Sequence, residues 1–301
     1  MRPNGERPSM SERARARQGA RSRDRGMRAS MASKLAGRVV LITGASSGIG
    51  EALAREVARR GGRVVLAARR AQRIEALATE IRRSGGEALA TPCDVTRDGD
   101  VERAVAQASE AFGRLDIAVA NAGFSVAGRV EQLALDDFRR QFETNVFGAL
   151  RTVKAALPEL KRSRGGVALV GSVLGYLAVP AVGAYTMSKF AVRALAETLR
   201  AELHAEGVAV THVAPGYVAS EIRRIDNAGN LHEGAPDPVP RWLVMPAQTA
   251  ARQIMDGIIA RRAEVIVTAH GKLGVSLSRH APGLLRASVS RLPRKRRISE
   301  R

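Results

Sequence analysis

The sequence predicts an α/β fold: a doubly wound parallel sheet of seven strands with helices on both faces, in a single domain. Three observations point there. From Arg38 onward, short β-branched apolar runs alternate with longer segments of helical period, the pattern of βαβ units. Apolar residues make up 45% of the chain and aromatic ones only 3%, so the core must be built from Ala, Val, Leu, Ile and Gly, as in a buried parallel sheet. A length of 301 residues then suits one large domain, residues 33–270, with a short extension at each end.

The strands are read in order at RVVLIT (38–43), RVVLAA (63–68), EALATPCDV (87–95), LDIAVANAG (115–123), GVALVGS (166–172), VAVTHVAP (208–215) and AEVIVT (263–268). Short apolar runs of this kind suit strands buried on both faces. Helices fill the gaps, at about 48–60, 71–84, 98–112, 136–161, 184–206 and 247–260. Right-handed crossovers between parallel strands put those helices on both faces. Residues 217–246 break the rhythm. Pro236, Pro238, Pro240 and Pro246 are spaced there among charged residues and a lone Trp242, and an insertion of this length suits a lid.

A formal net charge of +20 would suit a nucleic-acid binder, but it is concentrated at the ends. Residues 1–30 hold nine Arg against three acidic residues, and residues 271–301 hold nine Lys or Arg against Glu300. Neither end interleaves aromatics for base stacking, so no specific nucleic-acid partner is expected, only weak and salt-sensitive binding. The N-terminal arginines lack the apolar run of a secretory signal, and Glu6, Glu12 and Asp24 argue against a mitochondrial presequence. Residues 1–32 read as a disordered basic tail, with Met27 and Met31 as alternative starts that would leave it untranslated. The uncharged run Gly165 to Ser188 is long enough to cross a bilayer, yet its glycines, Pro180 and hydroxyls fit a strand, a loop and a helix start better. The single Cys93 excludes an intramolecular disulfide and suits a small buried side chain in a reducing, cytoplasmic setting.

TGASSGIG, residues 43–50, leaves the first strand and opens the first helix. Glycines there let the backbone approach a pyrophosphate, and the helix N-terminus offers free N–H groups and the positive end of its dipole. Alone the pattern is also a plain tight turn; in the first βαβ unit it favours a dinucleotide. A strand end that binds NAD carries an acidic residue for the ribose. Here that end reads LAARR, with Ala68 in the acidic place, followed by Arg69 and Arg70. A guanidinium there suits a 2'-phosphate, so NADP is expected over NAD, through Arg69, with Arg70 beginning a solvated helix face.

Several ordered motifs together resemble the short-chain dehydrogenases and reductases. They are TGASSGIG at 43–50, NAG at 121–123, Asn145 in ETNVFG, Ser172 in VGSVLG, Tyr185 and Lys189 in YTMSK, and Pro215 with Gly216 in APGYV. The resemblance covers the domain and neither tail. It departs in having Ala120 before Asn121, where the family often has a second Asn, and Ser220 where it usually has Thr. It implies a Rossmann-type fold and hydride transfer between a nicotinamide cofactor and a carbonyl or alcohol. The cofactor contacts it implies are Gly44, Ser46, Ser47, Gly48, Ile49, Gly50, Asp94, Val95, Asn121, Ala122, Gly123, Pro215, Gly216, Val218 and Ser220, with Tyr185 and Lys189. Asp94 reads equally as a helix cap ahead of Arg97. Asn145 by resemblance holds a water that links Lys189 to solvent; read alone, it is a buried helix Asn bonded to backbone.

Reducing a carbonyl creates an alkoxide, which needs a proton donor and a hydrogen bond to hold the oxygen. Tyr185 and Ser172 suit those roles. Lys189 lies one helical turn beyond Tyr185, and its ammonium is expected to favour the phenolate and lower a phenol pKa that is ordinarily about 10. Tyr-x-x-x-Lys also occurs on ordinary helices with a solvated lysine; a serine thirteen residues ahead argues for chemistry. No metal is expected. Ile222, Ile225, Leu231, Trp242, Leu243 and Met245 in the lid suit a lipophilic, lipid- or steroid-like substrate. The resemblance also implies pairing through the long fourth and fifth helices into a homodimer or homotetramer. If residues 283–292 are helical, Leu284, Leu285, Val289 and Leu292 share an arc bordered by Arg286 and Arg291. That suits peripheral contact with an anionic membrane, or packing on the enzyme or a partner subunit. Against the enzyme stand a non-catalytic scaffold and a protein that binds nucleic acid or membrane through its basic tails; the complete Ser172, Tyr185 and Lys189 set favours the enzyme.

Overall fold

The computed structural model describes residues 35–290, apart from 228 and 233, so the tail at 1–32 and Leu292 lie outside the described residues. The strands β1 (Val39–Thr43), β2 (Arg63–Ala68), β3 (Glu87–Pro92), β4 (Ile117–Ala120), β5 (Gly166–Val170), β6 (Ala209–Pro215) and β7 (Glu264–Val267) form one parallel sheet in the order β3-β2-β1-β4-β5-β6-β7. The order reverses between β1 and β4, so the connections leaving those two strands diverge and open a crevice at their carboxyl ends. The doubly wound, seven-stranded single domain is the one the sequence predicts.

The helices are α1 (Gly48–Arg59), α2 (Ala71–Arg83), α3 (Asp100–Phe112), α4 (Leu135–Phe142), α5 (Gly148–Ser163), α6 (Gly183–Glu202), α7 (Ala247–Ile259), α8 (Ala269–His280) and α9 (Pro282–Ser290). Side chains alternate across a strand, so β1 feeds two layers. Val40 and Ile42 pack with Leu53 and Val57 of α1, Ile74 of α2 and Ile254 and Met255 of α7. Val39 and Leu41 pack with Val101 of α3, Val153 and Leu160 of α5 and Val192 of α6. Each such side chain, fully buried, contributes about 1.5–3 kcal/mol.

Several boundaries differ from the sequence reading. β3 stops at Pro92, which has no N–H for the ladder, so Asp94 and Val95 lie in the following loop. β4 stops at Ala120 because Asn121 turns its side chain to β1, donating from Nδ2 to Thr43 O at 2.9 Å, so Asn121, Ala122 and Gly123 also lie in a loop. The helix expected over 136–161 runs from Leu135 to Ser163 through a π-helical turn at Glu143–Phe147. The uncharged run at 165–188 divides into β5, a 3-10 turn at Val173–Gly175 and the start of α6. Among the described residues no helix is long and apolar enough to cross a membrane.

The segment at 217–246 closes on itself at its base: Met245 N donates to Tyr217 O and Ala219 N to Met245 O, both at 2.9 Å. Its tip is pinned to the loop after β4, where Ala127 N donates to Asn227 Oδ1 at 2.9 Å and Asn227 Nδ2 to Ala127 O at 2.8 Å. The domain end drawn at 270 falls inside α8, whose Val275 is buried against Tyr176 and Ala214. The arc expected on α9 is split: Leu285 and Val289 are half-buried and Leu284 is exposed.

Candidate active site

The glycine-rich turn sits at the crevice between β1 and β4. Gly44 has a φ of +68°, and a Cβ there would lie 2.8 Å from Ala122 Cα. A Cβ on Gly50 would run into Gly44 O and stand 2.6 Å from Asn121 Nδ2. Thr43 ties the two strand ends together: its hydroxyl donates to Val119 O at 3.3 Å and accepts from the backbone N–H groups of Asn121 and Ala122 at 3.1 and 3.3 Å. The result is a bare backbone cradle at the start of α1, which fits the pyrophosphate of a dinucleotide.

Ser172 follows β5, and its Oγ accepts from Leu174 N at 3.1 Å. Its hydroxyl also faces the Tyr185 phenol closely enough to favour the phenolate by hydrogen bonding. Lys189 stands one turn along α6 with Nζ 5.5 Å from the centre of the Tyr185 ring, and it donates to Val170 O at 2.9 Å. The expectation that the phenol is lowered is corrected here. Burial outweighs Ser172 and the nearby Arg223 guanidinium and holds Tyr185 above its ordinary value. The same burial pushes Lys189 down to about 8. Asn145 lies in the π turn, a deviation frequent at functional sites. Its Oδ1 accepts from Phe124 N, and its Nδ2 donates to Phe124 O and Ser188 Oγ, each at 3.1 Å.

Beyond β6, Pro215 is buried and Gly216 is hemmed by Thr268 and His270. Thr268 is held at φ +81°, a strained geometry for a β-branched residue that costs about 1–3 kcal/mol. His270 Nε2 accepts from Tyr217 N at 3.1 Å, which fixes the chain ahead of the buried Val218. Arg223 donates to both carboxylate oxygens of Asp237, at 2.8 and 2.5 Å, and to Val218 O at 3.2 Å. Of the apolar residues at 217–246, Ile222, Ile225, Leu231, Leu243 and Met245 are half-buried, whereas Trp242 is 82% exposed.

Arg69 is exposed at the end of β2. Arg70, read from sequence as a solvated side chain, instead folds over the glycine-rich turn and donates to Ser46 Oγ at 3.0 Å and Ser47 Oγ at 2.6 Å. Asp94 is occupied locally: its Oδ1 accepts from Thr96 N at 3.0 Å and from Thr96 Oγ1 at 2.8 Å, an Asx turn rather than the cap of α3, whose N-cap is Gly99. Cys93 is buried and its thiol is pushed up to about 12, chiefly by burial.

Behind the serine loop lies a cluster the sequence did not signal. The Tyr176 hydroxyl is 2.9 Å from His212 Nδ1 and donates to Glu264, which also accepts from Arg279 of α8 at 2.5 Å. Burial pushes His212 down to about 4, so it is neutral at physiological pH. Among the described residues no group of His, Cys, Asp and Glu stands together as a metal-ligand set.

Comparison with known proteins identifies the family. A family model for short chain dehydrogenases matches residues 38–230. An 11-beta-hydroxysteroid dehydrogenase A of Arachis hypogaea is 40% identical over 196 residues, which cover 64% of this chain and 56% of that protein. The chain thus matches little more than half the length of that relative. Among solved structures, the alcohol dehydrogenase of the archaeon Thermococcus sibiricus complexed with 5-hydroxy-NADP is 31% identical, with a TM-score of 0.68 over 76% of this chain and 95% of that one. A short chain dehydrogenase/reductase of Burkholderia phymatum in complex with NAD is 25% identical, with a TM-score of 0.75 over 89% and 99%. The glycine-rich turn, Ser172, Tyr185 and Lys189 all fall within the matched span, and the chain belongs to the short-chain dehydrogenase family.

Proposed function

We propose that the protein is an NADP-dependent oxidoreductase that interconverts a lipophilic ketone and its secondary alcohol. The observation that carries this reading is Ser172 facing the Tyr185 phenol, with the Lys189 ammonium 5.5 Å from the ring centre, at the mouth of a dinucleotide cradle. The nicotinamide, when bound, supplies or accepts the hydride. In reduction, Ser172 holds the substrate oxygen and Tyr185 gives it the phenolic proton; in oxidation, the phenolate takes that proton back. The raised Tyr185 pKa keeps the phenol protonated and ready to donate. The phenolate left behind is favoured by the Ser172 hydroxyl and the Arg223 guanidinium, and an ammonium on Lys189, 5.5 Å from the ring centre, acts in the same direction. Asn145 fixes Phe124 and Ser188 around that lysine and is the residue to hold a water that re-supplies the proton.

Arg69 and Arg70 at the end of β2, and the absence of an acid at Ala68, support NADP over NAD. The half-buried apolar residues of the lid, together with the hydroxysteroid dehydrogenase name of the peanut relative, support a bulky fused-ring alcohol or ketone. Exposed Phe147, Met187 and Phe190 on the adjoining α5 and α6 region support pairing with a second copy. Exposed Leu284 beside an arginine-rich end supports contact with an anionic membrane, and the buried free thiol of Cys93 supports a reducing, cytoplasmic setting. The test is a panel of ketones and secondary alcohols offered with NADPH and NADH, read by absorbance of the reduced nicotinamide. Turnover favouring NADPH and bulky apolar ketones is expected. No turnover with either nucleotide would overturn the activity, whereas preference for NADH would overturn the nucleotide alone.

A further inference from the structure

The chain after β6 carries a carboxylate into the arginine cluster at the end of β2. Glu221 opens the 3-10 turn Glu221–Arg224 and accepts from Arg70 Nη1 at 2.9 Å and from Arg73 Nη1 at 2.8 Å. Arg70 holds Ser46 and Ser47 with its other nitrogens, so one guanidinium joins the glycine-rich turn to the lid. Ser220 lies against the same turn: a Cβ on Gly48 would stand 3.0 Å from Ser220 Cβ. Glu221 is the shielded member, with its side chain 19% exposed against 37% for Arg70 and 41% for Arg73.

As a mechanical pin this contact adds little, because ion pairs this exposed contribute weakly to stability. The lid is also already closed at its base through Met245 and at its tip through Asn227. As a local charge it matters more. A carboxylate lodged between two cations repels any second anion that needs the same donors, and such repulsion sets partner choice more than affinity. We propose that Glu221 is a specificity-determining residue for the nucleotide: it occupies Arg70 and Arg73 as an internal anion that a 2'-phosphate must displace. Displacement frees the start of the lid from the glycine-rich turn, so the phosphate and the lid contact exclude one another. This rests on the NADP reading above.

The test is isothermal titration of the full chain and of Glu221→Gln with 2',5'-ADP and with 5'-AMP, probes that differ by the one phosphate. The wild type should bind 2',5'-ADP more tightly than 5'-AMP. Glu221→Gln should tighten 2',5'-ADP about fivefold while leaving 5'-AMP unchanged, and the gain should shrink as salt screens the site. Equal binding of the two probes by both the wild type and Glu221→Gln would sink the NADP reading itself. Wild-type preference for 2',5'-ADP that Glu221→Gln leaves unaltered would sink the proposal alone. Equal weakening of both probes would make Glu221 a structural residue and overturn the proposal as well.

Discussion

Burial acts in opposite senses on Tyr185 and Lys189, raising the phenol and lowering the ammonium. It holds the phenol protonated, ready to donate, while bringing the ammonium down to about 8, within reach of physiological pH. Activity that needs the ammonium should therefore fall as pH rises through about 8. Stability should move the other way. The folded pKa of about 8 lies below the ordinary 10.5, so between those values the unfolded chain binds more protons and unfolding becomes harder as pH rises. Relative to Lys189→Met, whose side chain does not titrate, wild-type unfolding free energy should rise by about 3 kcal/mol across that window. Urea melts of both proteins at several pH values check this, and a flat difference would contradict a buried, titrating Lys189. Arg223 was invisible at this scale in the sequence, since its partner Asp237 and its neighbour Tyr185 are brought to it only by the folded lid.

The helices meet at charged as well as apolar junctions. Glu56 of α1 is fully buried, accepts from Arg59 at 2.7 and 2.8 Å and from Arg60 at 2.7 Å, and Arg60 reaches Asp256 of α7 at 2.8 Å. Burial would raise the Glu56 carboxyl, but the two guanidiniums prevail and hold it below the ordinary carboxylate value. Its contribution is therefore present above that value and lost as pH falls through the lowered one. Glu56→Ala leaves the buried Arg60 short of its carboxylate and should lose about 3–5 kcal/mol in chemical denaturation. Strand centres and helix positions were legible, because runs such as VVLI at 39–42 must be buried on both faces. Strand ends were not, because they are set by particular groups: the missing N–H of Pro92 and the amide of Asn121 reaching Thr43. The π turn at Asn145 left no periodic signal. Ser172, Tyr185 and Lys189 were readable through their spacing, whereas Glu221 was not, since its partners Arg70 and Arg73 lie 151 and 148 residues away.

At the scale of the molecule, one reversal of strand order places every group of the site. It opens the crevice between β1 and β4 and sets the glycine-rich turn after β1 and Ser172 after β5. The α8 helix belongs to this body through Val275 and the Arg279–Glu264 pair, so truncation at residue 271 would remove packing as well as any membrane contact. The exposed apolar residues of α5 and α6 bear on assembly: Phe190→Glu should shift the protein toward monomer in sedimentation velocity without loss of fold, and an unchanged sedimentation coefficient would exclude that face. The central claim is that Tyr185 moves the proton. Single-turnover oxidation of NADPH with a reactive ketone, compared between the wild type and Tyr185→Phe, measures it most directly. The account predicts a fall of about 10²–10⁴ in rate with binding of 2',5'-ADP intact; oxidation by Tyr185→Phe at the wild-type rate would contradict it.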